Sequence, residues 1–290
     1  MGQPSISIVI PARNETSHLQ STVECIRATS PPDAEIIVVD DECGDDGLAA
    51  WDVKVVRTQN GESGVTHARN AGAKAACGEI LVFADAHITT PHGWWEPLCD
   101  LLQRPEVGAV APVISVMGKP EVKGYGLRLT GPDLNTEWLR NCSQTPYPAP
   151  LLPGCCLAIR RATFMDAGEL DSGLIRWGMT DVEFSIRLWL LGYELLVVPT
   201  VEVEHLFRSK HPYPVEWRAI LHNKLRTAAL HFNPDRFARV VDTLKPHAHF
   251  SHAAAELVTR SFEQRRSALH ARRVRDDEWF FSNVTQNIAF

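Results

Sequence analysis

Residues 79–98 read EILVFADAHITTPHGWWEPL. A short apolar run delivers an acid, Asp85, and a histidine, His87, two positions apart, and then meets a turn and two tryptophans. The run is too short for a helix core and reads as a buried strand. Positions two apart on a strand point to the same face. Asp85 and His87, with Ala86 between them, can therefore share one ligand at the strand end. One carboxylate and one imidazole suit a borderline divalent ion such as Mn²⁺ (or Mg²⁺) better than Ca²⁺. The plain alternative is an acid and a histidine satisfied by backbone hydrogen bonds.

Outward from that strand, apolar runs alternate with helical stretches. SISIVIPA (5–12), AEIIVVDDE (34–42) and VKVVRT (53–58) read as strands. SHLQSTVECIRAT (17–29) places Leu19, Val23 and Ile26 at helical spacing, with Thr16 or Ser17 able to cap. GVTHARNAGAKAAC (64–77) is a helix of small residues that can pack closely on a sheet. The alternation predicts an α/β class with a mostly parallel central sheet flanked by helices. Its acids fall at the carboxyl ends of strands, where open α/β sheets bind ligands. From about Pro91 the pattern loosens into Pro- and Gly-rich loops. TDVEFSIRLWLLGYELLVVP (180–199) is a helix closed by Gly192 and followed by a strand. From Val215 onward the chain reads as helical.

Bulk composition narrows the class. The chain has 290 residues, 44% apolar and 22% charged, which is an ordinary globular profile. A net charge of −6 argues against a dedicated nucleic-acid binder. No apolar run is long enough to span a bilayer. The opening MGQPSISIVIPARNE has no signal-peptide pattern, and the seven cysteines include no Cys-x-x-Cys pair. Both point to reduced thiols and a cytoplasmic protein.

Other residues converge on the same edge. Asp40 and Asp41 end a strand beside Pro11, Arg13, Asn14 and Glu15, and a carboxylate there can accept the N3–H of a uracil. Helix-capping acids are the alternative. Arg69 on the small-residue helix would face the nucleotide side. Asp181 and Glu183 begin a helix, where the dipole favours acids. His205 lies just past the next strand, in reach of Asp85 and His87 if the chain folds back, and Arg208 and Lys210 would then face phosphates.

SIVIPARNE, VVDDE and ARNAG resemble the opening of nucleotide-sugar-dependent glycosyltransferases of family two, which have the GT-A fold. FADAHITTPHGWWEPL, APVISV, GCCLAIRRATFMDAGELDSGL, RWGMTDVEFSIRLWLLGYELLVVP and HLFRSKHPYP are similar to the catalytic domain of polypeptide N-acetylgalactosaminyltransferases. The resemblance covers about Ser5 to Phe237. It implies a GT-A catalytic domain over 1–214, with a nucleotide half (about 1–90) and an acceptor half (about 91–214), and a helical extension over 215–290. It implies Mn²⁺ on Asp85, His87 and His205, a UDP-sugar donor, and Asp41 as uracil partner. It places Ala86 and Gly154 among the donor contacts, Arg208 and Tyr213 on a loop over the donor, and Trp177 near the sugar.

The chain also departs from that family. The family carries a membrane anchor and a lectin domain, and neither is read here, so a soluble acceptor is expected: a peptide, a saccharide or a small natural product. The family's Gly-Gly-Glu-Asn segment reads Gly178-Met179-Thr180-Asp181. Asp181 can thus serve as a catalytic base, which makes inversion the leading outcome and retention the alternative. Two rival classes are a sugar-1-phosphate nucleotidyltransferase, opposed by the absence of glycine in IPARNETSHL, and a non-catalytic nucleotide-sugar binder.

The C-terminal part offers HAHFSH (247–252), read as surface histidines rather than a second metal site. HARRVRDDEW (270–279) reads as a solvated helix end. Trp279, Phe280 and Phe281 are expected to dock on the core or on a second subunit of a homodimer.

Overall fold

The computed structural model describes residues 4–41, 51–58, 63–140, 143–208 and 214–285. Its first half runs β1 (Ile6–Ala12), α1 (Thr16–Thr29), β2 (Glu35–Asp40), β3 (Lys54–Arg57), α2 (Val65–Ala75) and β4 (Ile80–Ala84). β-Branched residues fill these strands, and alternate side chains enter different cores. Val9, Ile37, Leu81 and Phe83 face one core, while Ile8, Ile10, Val38 and Val82 face the other. β1 pairs in parallel with β2 and with β4, and β2 with β3. Their carboxyl ends therefore lie along one edge. Helix α2 sits close on the sheet: a Cβ added to Gly72 would stand 2.3 Å from Val9 Cγ1. Helix α1 starts at Thr16, with Glu15 at the cap position, one residue before the expected Thr16 or Ser17.

The second half comprises β5 (Ile88–Thr89), α3 (Glu96–Leu102), β6 (Val107–Val116), β7 (Lys119–Gly124), β8 (Leu127–Leu129), β9 (Thr136–Trp138), β10 (Tyr147–Pro148), β11 (Cys156–Arg160), α4 (Arg161–Asp166), α5 (Thr180–Leu190) and β12 (Glu194–His205). The main sheet is ordered β10-β12-β6-β11-β4-β1-β2-β3, and β8 and β9 form a separate hairpin. β11 runs antiparallel to both β4 and β6, so the sheet is mixed.

One local expectation is corrected. β4 stops at Ala84, and Asp85 to His87 form a turn rather than the end of a strand. The Asp85 N–H donates to the Cys155 carbonyl at 2.9 Å, and the chain then bends into β5. β5 pairs antiparallel with the end of β12, setting His205 opposite Ile88. The turn and that pairing, not a two-residue strand repeat, bring His205 beside Asp85 and His87.

Among the described residues five helices follow: α6 (Trp217–His231), α7 (Pro234–Leu244), α8 (Phe250–Thr259), α9 (Glu263–Arg272) and α10 (Asp277–Asn283). Helix α6 is buried along most of its length. The buried carboxylate of Glu183 joins α5 to α6, accepting from Arg187 at 2.9 and 2.8 Å and lying 2.8 Å from His231 Nε2. The basic-then-acidic run at 270–279 is not a solvated helix end. Arg272 donates to the Asp166 carbonyl, Arg275 lies over Trp279, and buried Asp277 accepts from Arg236 and from the Asn233 N–H. Phe280 and Phe281 are buried in this chain's own core. His247 stacks on Trp217, with centroids 5.6 Å apart. Among the described residues no helix is long and apolar enough to cross a membrane.

Candidate active site

A cleft of about 870 Å³ opens at the carboxyl ends of β1, β2 and β4. It is walled by the chain after β12, the β8–β9 hairpin and α6. The expected donor-binding and metal residues line it, Asn14, Asp40 and Glu183 do not, and Tyr213 and Lys210 lie outside the described residues.

At its centre, one ligand atom from each of Asp85, His87 and His205 falls within 4.8 Å of the others. Asp85 Oδ2 is 3.3 Å from His205 Nε2. The two imidazole rings lie 4.8 Å apart, tilted by 47°. Among the described residues His87 Nδ1 and both ring nitrogens of His205 are buried without a well-aligned hydrogen bond, although Glu15 Oε2 stands 3.5 Å from His87 Nδ1. Buried polar atoms are rarely left so. Nitrogen lone pairs turned toward a carboxylate in a cleft match a divalent cation's first shell. The donor set therefore fits a borderline divalent ion such as Mn²⁺.

The acid of this group is kept ionised. Burial pushes Asp85 up, but His205 and the Arg69 guanidinium outweigh it and hold its carboxyl at about 2. Arg69 donates at 2.9 Å to Asp85 Oδ1 and at 2.6 Å to the Gly154 carbonyl. It lines the cleft beside Asp85.

At the β2 end, Asp41 is buried, and both carboxylate oxygens accept the Gly64 N–H at 3.1 Å. Arg13 stands 3.4 Å from Oδ2. Asp40 turns away to Arg57 on β3, at 3.5 Å, so the cleft-facing acid of the pair is Asp41. Gly64 adopts φ of +110°, and a Cβ there would stand 2.5 Å from the Arg176 carbonyl oxygen. Only glycine fits this crossing. Pro11 at the end of β1 completes the wall.

At the mouth, Arg208 grips Glu15 with two prongs, NH1 to Oε1 at 2.7 Å and NH2 to Oε2 at 2.5 Å. Burial raises Glu15, yet His87 and Arg208 hold its carboxyl at about 2.

Asp181 sits one residue into α5. Its Oδ2 accepts the Gly154 N–H at 3.2 Å and Oδ1 the Val182 N–H at 3.0 Å. Burial pushes its carboxyl up, and the nearby Arg69 charge only partly opposes this. The loop before α5 is wound tightly: Arg176, Gly178 and Met179 take φ of 56°, 99° and 67°. Asn223 of α6 clamps it, accepting from the Ile175 N–H at 2.9 Å and donating to the Ile175 and Gly178 carbonyls at 2.9 and 3.0 Å. Trp177 projects from this loop, 39% exposed.

Sequence reasoning missed several lining residues: Asn135 and Trp138 on the hairpin, Phe207, Trp217 and Lys224. The hairpin read as loops, and Lys224 sits inside a helical repeat. The exposed aromatics alone carried a signal.

The model of "Glycosyl transferase family 2" matches residues 7–167. Polypeptide N-acetylgalactosaminyltransferase 11 of Xenopus tropicalis is 31% identical over 313 residues, spanning 97% of this chain and 50% of the relative. Polypeptide N-acetylgalactosaminyltransferase 10 of Homo sapiens is 30% identical over 254 residues, spanning 78% and 42%. The chain thus spans about half the length of the curated relatives it matches. Among solved structures, GalNAc-T7 with UDP, GalNAc and Mn²⁺ aligns with a TM-score of 0.80 at 23% identity, over 98% of this chain and 57% of the other. A mannosyltransferase from Pyrobaculum calidifontis in complex with GDP-Man and Mn²⁺ aligns with a TM-score of 0.56 at 19% identity, over 93% and 79%. These likenesses show the GT-A fold with a helical C-terminal region.

Proposed function

The chain belongs to glycosyl transferase family 2, and from that premise we propose that it moves a sugar from a UDP-sugar to an acceptor nucleophile in the described cleft. One observation carries the reading: Asp85, His87 and His205 converge beside a nucleotide-sized cleft, with imidazole nitrogens that make no well-aligned hydrogen bond among the described residues. Both solved relatives above were crystallised with Mn²⁺ and with a nucleotide or nucleotide sugar.

In this reading Asp85, His87 and His205 hold Mn²⁺, which when bound would supply Lewis-acid stabilisation of the departing diphosphate. Arg208 adds a fixed positive charge on the same side, steadied by Glu15. Asp41, oriented by Gly64 and Arg13, accepts the uracil N3–H. Pro11, Arg13 and Ala86 line the donor path, and Arg69 keeps Asp85 in place. Asp181 is the proposed base. Its carboxyl faces the cleft, is raised by burial, and is fixed by two backbone N–H groups. It takes the acceptor proton as the nucleophile attacks from the face opposite the leaving group, inverting the anomeric centre. Retention is the second reading, favoured by the likeness to the N-acetylgalactosaminyltransferases.

Residues 1–214 form the catalytic unit in this proposal, and 215–290 an extension whose first helix contributes to the cleft. Trp138, Trp177, Phe207 and Trp217 are exposed aromatics on the cleft wall, a surface that suits a peptide or saccharide acceptor. The free thiols at Cys25, Cys77, Cys99, Cys155 and Cys156 support a reducing compartment such as the cytoplasm.

The test is release of UDP from a panel of UDP-sugars with and without Mn²⁺, followed by NMR of the product anomer. Mn²⁺-dependent release from one donor, with an inverted product lost in Asp181→Asn, supports the full reading. A retained anomer from an active enzyme removes Asp181 as the base and leaves the transferase.

A further inference from the structure

Lys224 lies on α6 at the floor of the cleft and is 9% exposed. Its ammonium makes one hydrogen bond among the described residues, to Asn135 Oδ1 at 2.6 Å, and no ion pair. An ammonium has three donors, so two are left for something else. A buried lysine without a carboxylate partner is uncommon. The other buried cations nearby are matched: Arg226 pairs with Asp171, and Arg187 with Glu183.

The contact to Asn135 is itself arranged. Asn135 donates its Nδ2 to Asp133 Oδ2 at 2.5 Å, and its backbone N–H donates to Asp133 Oδ1 at 3.0 Å. That fixes the amide so that Oδ1 meets the lysine. The turn holding Asn135 is strained, since the preceding Leu134 is buried at φ of 54°. On α6, Ile220 lies one turn before Lys224, and its side chain packs 3.6 Å from where a Gly178 Cβ would stand. Lys224 therefore shares the helix face that meets the Trp177 loop.

We propose that Lys224, aimed by Asn135, reads a carboxylate on the substrate, so the cleft prefers an acidic donor sugar or an acidic acceptor over its neutral isostere. The inference rests on the glycosyltransferase reading of the same cleft. Burial lowers the lysine's affinity for its proton, and Asp133 only partly restores it. An incoming carboxylate supplies the missing counter-charge, with the second and third donors ready for it. The diphosphate is served elsewhere, by Arg208 and the Asp85 group, which leaves Lys224 for the sugar or the acceptor. Lys224 is a specificity residue here and takes no part in bond making.

The experiment has two arms on the full chain with Mn²⁺. The donor arm compares UDP-glucuronic acid with UDP-glucose, by calorimetric affinity and by UDP release. The acceptor arm uses whichever neutral UDP-sugar is turned over and compares peptide and saccharide acceptors that differ by one carboxylate, such as Asp against Asn. The expected result is a preference of about ten- to a hundredfold for the acid in one arm, the range of a charge-assisted hydrogen bond in a cleft. Lys224→Met abolishes that preference and leaves the turnover of the neutral partner within about threefold, while Lys224→Arg retains part of it. Asn135→Ala reduces the preference and keeps the fold, which covers the case that Lys224→Met is unstable. Equal use of acid and neutral partners in both arms overturns the proposal alone, because the enzyme is then shown to be active. A preference that survives Lys224→Met also overturns it. No binding of either UDP-sugar or of UDP overturns the glycosyltransferase reading together with it.

Discussion

Asp85 Oδ2 and His205 Nε2 lie 3.3 Å apart, close enough to hold the carboxyl ionised but poorly aligned for a hydrogen bond. A pair so close and so misaligned is poised to share a third atom. His205→Ala is therefore expected to weaken Mn²⁺ binding by about a hundredfold or more, since it removes a ligand outright. Electron paramagnetic resonance of free Mn²⁺ during titration measures this. Unchanged affinity would mean that the trio holds no metal.

Asp181→Asn keeps the shape and, with its single amide oxygen, one of the two backbone hydrogen bonds, but cannot accept a proton. Turnover is expected to fall by about 10²–10⁴-fold with little change in donor affinity. Pre-steady-state kinetics separate the two. A loss confined to donor binding would assign Asp181 a supporting role through Gly154.

The buried Glu183 supplies an acid-sensitive clamp between α5 and α6. Burial alone would raise its carboxyl, but Arg187 and His231 overcome this and draw it below the usual range. The folded pKa is thus depressed, so the clamp's contribution is complete above about pH 4.3, the ordinary glutamate value, and fades as pH falls further. Glu183→Ala leaves Arg187 unpaired in the core and is expected to cost about 3–5 kcal/mol near neutrality. Thermal melts of wild type and variant at pH 7 and pH 3.5 check this: their gap should narrow in acid. A constant gap would show that the charge on Glu183 contributes nothing.

Much of this was legible in the sequence because it was local. The strands β1, β2 and β4 follow from short branched apolar runs, and the acids at their ends mark the binding edge. Asp85 and His87 do lie together, but for a different reason than the spacing suggests, because a turn, not a pleat, aims the side chains. That turn exists because β5 must pair with β12, a contact between distant segments that no local pattern carries. Lys224 and Asn135 stayed hidden for the same reason. One looks like any lysine in a helix, the other like any loop polar residue, and only the packing of α6 against the hairpin joins them. The run at 270–279 looked solvated because its charges are dense, but their partners, Asp166 and Arg236, lie far away in sequence.

Gly64 tests the nucleotide end. Gly64→Ala forces a Cβ against the Arg176 carbonyl and displaces the N–H that orients Asp41. Donor affinity is expected to drop by about tenfold or more, in line with strain of about 1–3 kcal/mol. Calorimetry with UDP reads the change, and an unaltered affinity would remove Asp41 from the uracil site.

The most direct test of the central claim is calorimetric titration of UDP into wild type and into His205→Ala, each with and without Mn²⁺. UDP is expected to bind wild type at least about tenfold more tightly with Mn²⁺ and to bind the variant no differently whether the ion is present or absent. UDP binding that ignores Mn²⁺ in the wild type, or no UDP binding at all, would contradict it.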